Sequence, residues 1–470
     1  FHANSSTMGY LGLIGPLVTT VRKFYCSCCS SNKGDLTGQD VPRSYPELEK
    51  KLKDLVWINA VIKDMDVCSE GNEVVEATLS AFGPSAGFYS ELGKLSVKFK
   101  DENDPKNPPT DCIVKFLPQG FEKRLILDLV NLPRTEVLSY FYILRNHQKH
   151  NKPPLPISTP KMLYVDYCNK TNNALMVMER ITDTLGDQHH PDDPDQARAQ
   201  MICMAKFHAF FWKGDHPEAK RHLMTTSSPV TPILGLKMWM NVKSLLKMLE
   251  EENNYTPSPE TCKALEVTIP KSIVKILDWC EKSPFKTVCH GDARLDNLYF
   301  RDNTDTKNYP DAKLEAGMYD WAQCVIAPNF YDLSWGLSHS YGREFYANSG
   351  KDLVRVYWDA LMRELPDSMS KDLEYEEFLI GYAISEVVCV SKCVIAFEAL
   401  SKERKNNPEG YKHKKRLVMD GLENSLRTME ELDAIEAIDK LLAGSLDQHK
   451  GESINSKRRS SKFGGNAKVA

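Results

Sequence analysis

The sequence has no strong charge of one sign and no long apolar run. A net charge of −4 over 470 residues supplies no general positive field. Binding to nucleic acid or to an acidic membrane therefore gains nothing from composition, and a phosphate-bearing ligand would need a local site. No run reaches the ~18 consecutive apolar residues that span a bilayer. The 13 cysteines are odd in number and scattered, without the paired CxxC spacings of a zinc site. Cys389 and Cys393 lie one helical turn apart in an apolar run. Reduced, mostly buried thiols in a cytoplasmic protein are expected rather than a disulfide framework. No internal repeat is present. What remains, at 41% hydrophobic and 26% charged residues, is the composition of an ordinary globular protein, long enough for about three domains or one large two-lobed unit.

The first residues also lack a secretory pattern. The apolar stretch Gly9 to Thr20 precedes Arg22 and Lys23, whereas a signal peptide puts its positive charge first. Met8-Gly9 is a myristoylation start without the Ser or Thr that Leu13 replaces. An unstructured leader over residues 1–44 is expected, with lipid anchoring near Cys26–Cys29 as the alternative. Acyl-biotin exchange is then expected to label nothing in this segment.

Periodicity organises the rest. Leu48, Leu52, Leu55, Val56, Ala60 and Val61 recur at helical spacing, predicting an amphipathic helix over 45–65 with Pro46 in its first turn. Two alternating stretches, 73–80 and 95–99, flank a loop with Gly83 and Gly87. Such a hairpin turn lets backbone amides approach phosphates with no side chain in the way; a plain turn fits the same residues. Lys115 interrupts the apolar strand 112–117, and Glu136 falls in the first turns of a helix from Thr135 to Leu144, where a carboxylate suits the helix dipole. The two side chains could pair, or Lys115 could simply face solvent. After a proline-rich linker, 162–167 and 174–178 predict two more strands, the second ending at Met178 and Glu179. Helices follow. Asp193 is a predicted N-cap with Pro194 behind it, and His208, amid apolar neighbours, is expected to be a core histidine. Phe210-Phe211-Trp212 and Trp239 are assigned to core packing, with the lining of an apolar acceptor site as the alternative. Helical patterns also cover 233–249, 258–281, 354–365, 375–400 and 411–442, and residues 446–470 form a polar, basic tail expected to be disordered.

Within the helical half, Thr287-Val-Cys-His-Gly-Asp-Ala-Arg-Leu-Asp-Asn-Leu-Tyr-Phe300 predicts a strand, a polar loop and a second strand. The loop holds Asp292 and Asn297, and Asp320 ends another apolar run. Two carboxylates and an amide at strand ends can bind a divalent cation through oxygen and position a hydroxyl for attack on phosphate.

A glycine loop, a strand lysine, a helix glutamate, Asp–x4–Asn and a later Asp follow the order of parts in protein kinases. His290-Gly-Asp292 with Asn297, Tyr319-Asp-Trp321 and Tyr331-Asp-Leu333 resemble the aminoglycoside phosphotransferase and choline kinase superfamily. Met204-Ala-Lys-Phe-His-Ala-Phe-Phe-Trp212 resembles a helix of its ecdysteroid-kinase-like (CHK kinase-like) branch, and the similarity runs over roughly residues 45–440. It implies an α+β, protein-kinase-like bilobal fold. The expected parts are a β-rich, nucleotide-binding N-lobe over 45–180 and a mostly helical C-lobe over 181–445 with the catalytic loop and acceptor site.

The implied activity is transfer of the terminal phosphoryl group of ATP, with Mg²⁺, to a hydroxyl of a small-molecule acceptor. Asp292 would orient that hydroxyl or take its proton. Asn297 and Asp320 would hold the metal, and Lys115, paired with Glu136, would contact the phosphates. Gly83 and Gly87 would cover them, and Met178 and Glu179 would lie beside the adenine. His290 would be structural, and Asp332 would cap the helix near Leu333 and brace the loop. The glycine loop departs from a full fingerprint, and Arg180 stands where the branch often has an acidic residue. Against a protein kinase, the loop is His-Gly-Asp, Trp-Ala follows Asp320, and no Ala-Pro-Glu segment appears. A catalytically inactive nucleotide-binding or scaffold protein of the same fold is the other class of function the sequence admits.

Overall fold

A computed structural model describes residues 33–81, 91–117, 132–144, 153–171, 173–185, 192–214, 216–225 and 231–446. The glycine loop with Gly83 and Gly87, the cysteine cluster at 26–29 and the tail beyond 446 lie outside the described residues. The chain divides into two compact units. The first holds residues up to Thr184 together with His216–Leu223 and Gly317–Cys324, and the second holds the remainder. The division is thus not the contiguous one expected at residue 180, because two later segments return to the first unit.

The first unit is built on an antiparallel sheet in the order β1-β2-β3-β5-β4, formed by β1 (Val74–Ala81), β2 (Glu91–Phe99), β3 (Asp111–Phe116), β4 (Met162–Cys168) and β5 (Asn173–Glu179). Alternation sets its faces. Leu95, Val97 and Phe99 on β2 and Cys112, Val114 and Phe116 on β3 are buried. Lys115, one residue out of phase, projects from the opposite face, in register with Leu92 and Met176. The predicted helix over 45–65 is two helices, α1 (Tyr45–Leu52) and α2 (Val56–Met65). The break falls where Leu55 adopts a left-handed backbone (φ 58°) and Asp54 accepts a hydrogen bond from the Val56 amide. That local Asx bond competes with helix continuation. Trp57 of α2 meets Tyr164 of β4 edge-on at 5.4 Å.

The folded part begins before Tyr45. Val41 is fully buried, and the buried carboxylate of Asp166 accepts from the Leu36 and Thr37 amides (3.0 Å each), the Thr37 hydroxyl and the Tyr167 amide. Residues 33–44, expected in the leader, are therefore tied to β4 by a side chain more than a hundred positions away, a contact no local pattern announces.

In the second unit, a three-stranded sheet runs β6-β10-β7, from β6 (Met224–Thr225), β7 (Lys286–Cys289) and β10 (Val325–Pro328), while β8 (Leu298–Asp302) and β9 (Leu314–Met318) form a two-stranded ladder. Around them lie α4 (Pro194–Phe210), α5 (Thr231–Asn253), α6 (Ile269–Glu281), α7 (Phe330–Ser338), α8 (Arg343–Glu364), α9 (Tyr375–Asn406), α10 (Gly421–Glu431) and α11 (Ala434–Leu442). The Asp193 carboxylate caps α4 by accepting from the Asp195 and Gln196 amides. The long helix expected over 411–442 is broken, with Asp433 left-handed (φ 52°) between α10 and α11. Phe211 and Trp212 are core residues, but Trp239 is 67% exposed, contrary to its assignment to the core. Of the α5 periodicity it is Met238, Val242, Leu245 and Leu249 that face inward. Among the described residues, α9 alone is long and apolar enough to cross a membrane, and 89% of its apolar window is buried within the protein. Cys389 and Cys393 on that helix are buried thiols.

Replacing Asp166 by Ala would leave its buried amide donors without an acceptor, a cost of about 2–3 kcal/mol. A lowered denaturant midpoint and faster proteolysis within 33–44 are expected; an unchanged midpoint would show that the tie contributes nothing.

Candidate active site

The loop between β7 and β8 carries the polar residues singled out in the sequence, and side chains from several helices hold its backbone. Asp332 does most of this. It is fully buried in the first turn of α7, and its two oxygens accept from the amides of His290 (2.5 Å) and Gly291 (2.7 Å). His208 on α4 reaches the same carboxylate through Nε2 (3.1 Å) and Tyr357 through Nδ1 (2.7 Å). Asp332 is thus a loop brace and not the expected helix cap; Asn329 holds the N-cap position, without a side-chain capping bond. Burial pushes the Asp332 carboxyl up, yet His208, His290 and the Gly291 amide together hold it below its ordinary range. Further along, His290 Nδ1 accepts from the Asp292 amide (3.2 Å), Gln200 Nε2 donates to Ala293 O (2.8 Å), and the Leu295 amide donates to Ser340 Oγ (2.9 Å). His290 and His208 both hold the structure together, His208 as its apolar neighbours predict and His290 as the family resemblance implies. Gly291 is left-handed (φ 83°), which favours glycine between the two braced amides.

This bracing presents Asp292. Its Oδ1 accepts from Arg294 Nε (2.9 Å) and Trp335 Nε1 (2.6 Å), and its Oδ2 from Asn297 Nδ2 (3.1 Å) with Arg294 Nη2 at 3.5 Å. A carboxylate offers about four lone-pair directions. The two short bonds fill Oδ1, so Oδ2, with one ordinary and one marginal donor, is the oxygen with capacity for an incoming hydroxyl. Burial raises the carboxyl, but the Arg294 guanidinium, the Lys392 ammonium and the Trp335 N–H outweigh it and hold the group well below the usual carboxylate range. Asp292 is ionised throughout the neutral range. Asn297 spends its amide nitrogen on Asp292, donating to the backbone oxygen (2.8 Å) as well as to Oδ2.

In the first unit, Lys115 Nζ lies 2.7 Å from Glu136 Oε1 and 2.8 Å from Asp320 Oδ1. Glu136 is on α3 (Leu132–Leu138). The returning segment that carries Asp320 is docked by a hydrogen bond from the Met318 amide to Ser158 O (3.0 Å) and by the Asp320 amide to Tyr140 Oη (3.2 Å). Asp320 is left-handed (φ 64°), a conformation that Asp tolerates better than most residues. One ammonium serves two carboxylates, so the carboxyl of buried Glu136 is pushed up to about 7 by burial and by Asp320, against the pull of Lys115. Asp320, 40% exposed at its side chain, is the carboxylate that meets solvent. At the end of β5, Met178 is buried, and the Glu179 carboxylate accepts from the Lys161 amide (3.1 Å). Arg180, at the departure from the family pattern, pairs with Asp111 (3.1 Å).

Sequence reasoning left Arg294 unassigned and missed Trp335 and Lys392. Trp335 stands one helical turn beyond Asp332, and that i, i+3 spacing was a usable signal. Lys392 interrupts the apolar pattern of α9 much as Lys115 interrupts β3.

The sequence profile of the ecdysteroid kinase-like family matches residues 84–368. No curated protein sequence matches the chain. Among solved structures, the chain is similar to an ethanolamine kinase from Plasmodium vivax (13% identity, 82% of this chain and 92% of that one, TM-score 0.38). It is also similar to a choline/ethanolamine kinase family protein from Mesorhizobium loti (13%, 79% and 93%, TM-score 0.40) and to a choline kinase from Cryptosporidium parvum (11%, 79% and 91%, TM-score 0.37).

Two outcomes test this architecture. Asp332→Ala strands two buried amides and the His208 ring, and a loss of about 3–5 kcal/mol is expected for an uncompensated buried polar cluster, read as a large fall in melting temperature. Because the folded carboxyl is depressed, the stability it contributes is fully present above its unfolded value near 3.8 and is lost as pH falls through the lower folded value. The loss of stability below about pH 4 should therefore be smaller in the variant than in the wild type, the other depressed carboxylates still contributing. Separately, a Cβ at Gly336 would lie 2.7 Å from Ala293 O, so Gly336→Ala should displace the loop and lower any Asp292-dependent activity while the fold persists.

Proposed function

This chain belongs to the ecdysteroid kinase-like family, and we propose that it is a small-molecule kinase that uses ATP and Mg²⁺ to phosphorylate a hydroxyl of a metabolite. The observation that carries this reading is Asp292, an ionised carboxylate held at a braced loop with one oxygen able to accept a hydroxyl proton. In phosphoryl transfer the transition state is loose, and most of the catalytic effect is positioning and charge stabilisation. A carboxylate held below its ordinary range is a weak base. Its contribution is to orient the acceptor O–H towards the phosphorus and to take the proton late, once the new P–O bond has made that proton acidic.

Lys115 would meet the nucleotide phosphates, its ammonium aimed by Glu136. The segment from Met178 to Ile181 would lie beside the adenine. Since the Glu179 side chain is turned to the Lys161 amide, this segment would act through its backbone. Gly83 and Gly87 would cover the phosphates. The metal ligands would be the Asn297 carbonyl oxygen and the Asp320 carboxylate. Both are hard oxygen donors of the kind Mg²⁺ takes, and when bound the ion would supply positive charge to offset that of the phosphates. A cytoplasmic location is part of the same proposal.

Asp292→Asn should lower turnover by at least ~10²-fold while ATP binding largely survives. The substrate is sought by incubating the protein with Mg-ATP and a metabolite extract and detecting a phosphorylated product by mass spectrometry. Thermal stabilisation by ATP that requires Mg²⁺ is expected. Turnover unaffected by Asp292→Asn would remove Asp292 from its role, and Mg-ATP binding without any product would favour the inactive nucleotide-binding protein.

A further inference from the structure

Beside Asp292 stands a cation whose part so far is only to help keep that carboxylate ionised. Lys392 Nζ lies 4.4 Å from the centroid of the Trp335 ring and 4.8 Å from that of Tyr331, both within cation–π range. It also donates to Gly291 O at 2.7 Å. Trp335 links this aromatic pair to the carboxylate, since its indole N–H is the 2.6 Å donor to Asp292 Oδ1, and its ring also stacks with that of His339, the centroids 3.8 Å apart. Lys392, Tyr331, Trp335 and Asp292 are each only partly buried, so the cluster is open to solvent. Two aromatic faces next to a carboxylate make a receptor for an organic cation. Here the chain fills that receptor with its own ammonium.

We propose that Lys392 is a specificity-determining residue that closes this aromatic receptor to cationic acceptors, so that the hydroxyl compound reaching Asp292 is neutral or anionic where it meets Tyr331 and Trp335. Two consequences of one side chain produce the exclusion. Its ammonium takes the ring faces that a quaternary or primary ammonium would use, and, with Arg294, it places a second positive charge beside the single carboxylate. A positively charged amino alcohol meets repulsion and an occupied cage, while an uncharged alcohol or one bearing an acidic group meets neither. As a statement about the acceptor this rests on the kinase reading, but the occupied cage can be tested without turnover.

The probe is tetramethylammonium, titrated calorimetrically into the full chain at constant ionic strength. Wild type is expected to show no saturable binding. Lys392→Ala vacates the cage and should bind the probe at least about tenfold more tightly, the scale of one partly desolvated cation–π contact, and adding Trp335→Leu should abolish that gain. Lys392→Gln removes the charge while keeping a donor for Gly291 O, so it tests the charge separately from loss of the tether; circular dichroism and melting establish that each variant is folded. Saturable, Trp335-dependent binding to wild type would overturn the proposal. So would absence of binding to a folded Lys392→Ala or Lys392→Gln protein, which would leave Lys392 as a loop tether only. Failure to find a phosphorylated product would remove the kinase reading and leave the calorimetric result standing.

Discussion

A buried carboxylate with two loop amides and a histidine on it is the constraint from which the rest of the second unit follows. Asp332 carries a charge into the interior, which costs several kcal/mol unless hydrogen bonds replace the lost water. His290, Gly291 and His208 supply them. Because Asp332 is in the first turn of α7, the brace joins the loop to a helix, and His208 joins both to α4. The loop inherits the rigidity of the helices. That is why Asp292, the residue directly after the two braced amides, is presented in one orientation, which its own bonds to Arg294, Trp335 and Asn297 then hold.

The charges around Asp292 form a second level. The carboxylate is surrounded by Arg294, Lys392, the Trp335 N–H and the Asn297 amide, an excess of positive character that keeps it ionised. The same excess makes it a poor base, and in a phosphoryl transfer that is no handicap, because the acceptor proton becomes acidic only as the new bond forms. The first unit shows the complementary arrangement. There a single ammonium, Lys115, lies between Glu136 and Asp320, so carboxylate is in excess over cation. Such a group of charges is suited to receiving a further cation.

Much of both arrangements was visible in the order of residues. The out-of-phase Lys115, the Glu136 at a helix start, and Asp292 with Asn297 five positions later are local patterns, and the structure puts Lys115 on Glu136 and Asn297 on Asp292. His208 was expected in the core and is there. Errors arose where a local signal had two outcomes. Asp332 was expected both to cap the helix and to brace the loop, and only the brace is made, since a carboxylate in the first turn can accept from any amide that tertiary packing brings to it. Trp239 looked like core by composition and is exposed, because the apolar stripe of α5 is satisfied by its neighbours one position away.

Sequence alone determined the main strands and helices though not where two of the helices break, together with the family and the polar residues of the loop, because those depend on periodicity and on spacings of a few positions along one backbone. Only the tertiary structure decided that residues 33–44 fold onto Asp166, that Asp320 returns to Lys115 from 205 positions away, and that the Lys392 ammonium sits on Trp335 and Tyr331. Each of these is a contact between charges or rings far apart in the chain. Their energy depends on distance in space, and no periodicity along the chain encodes it.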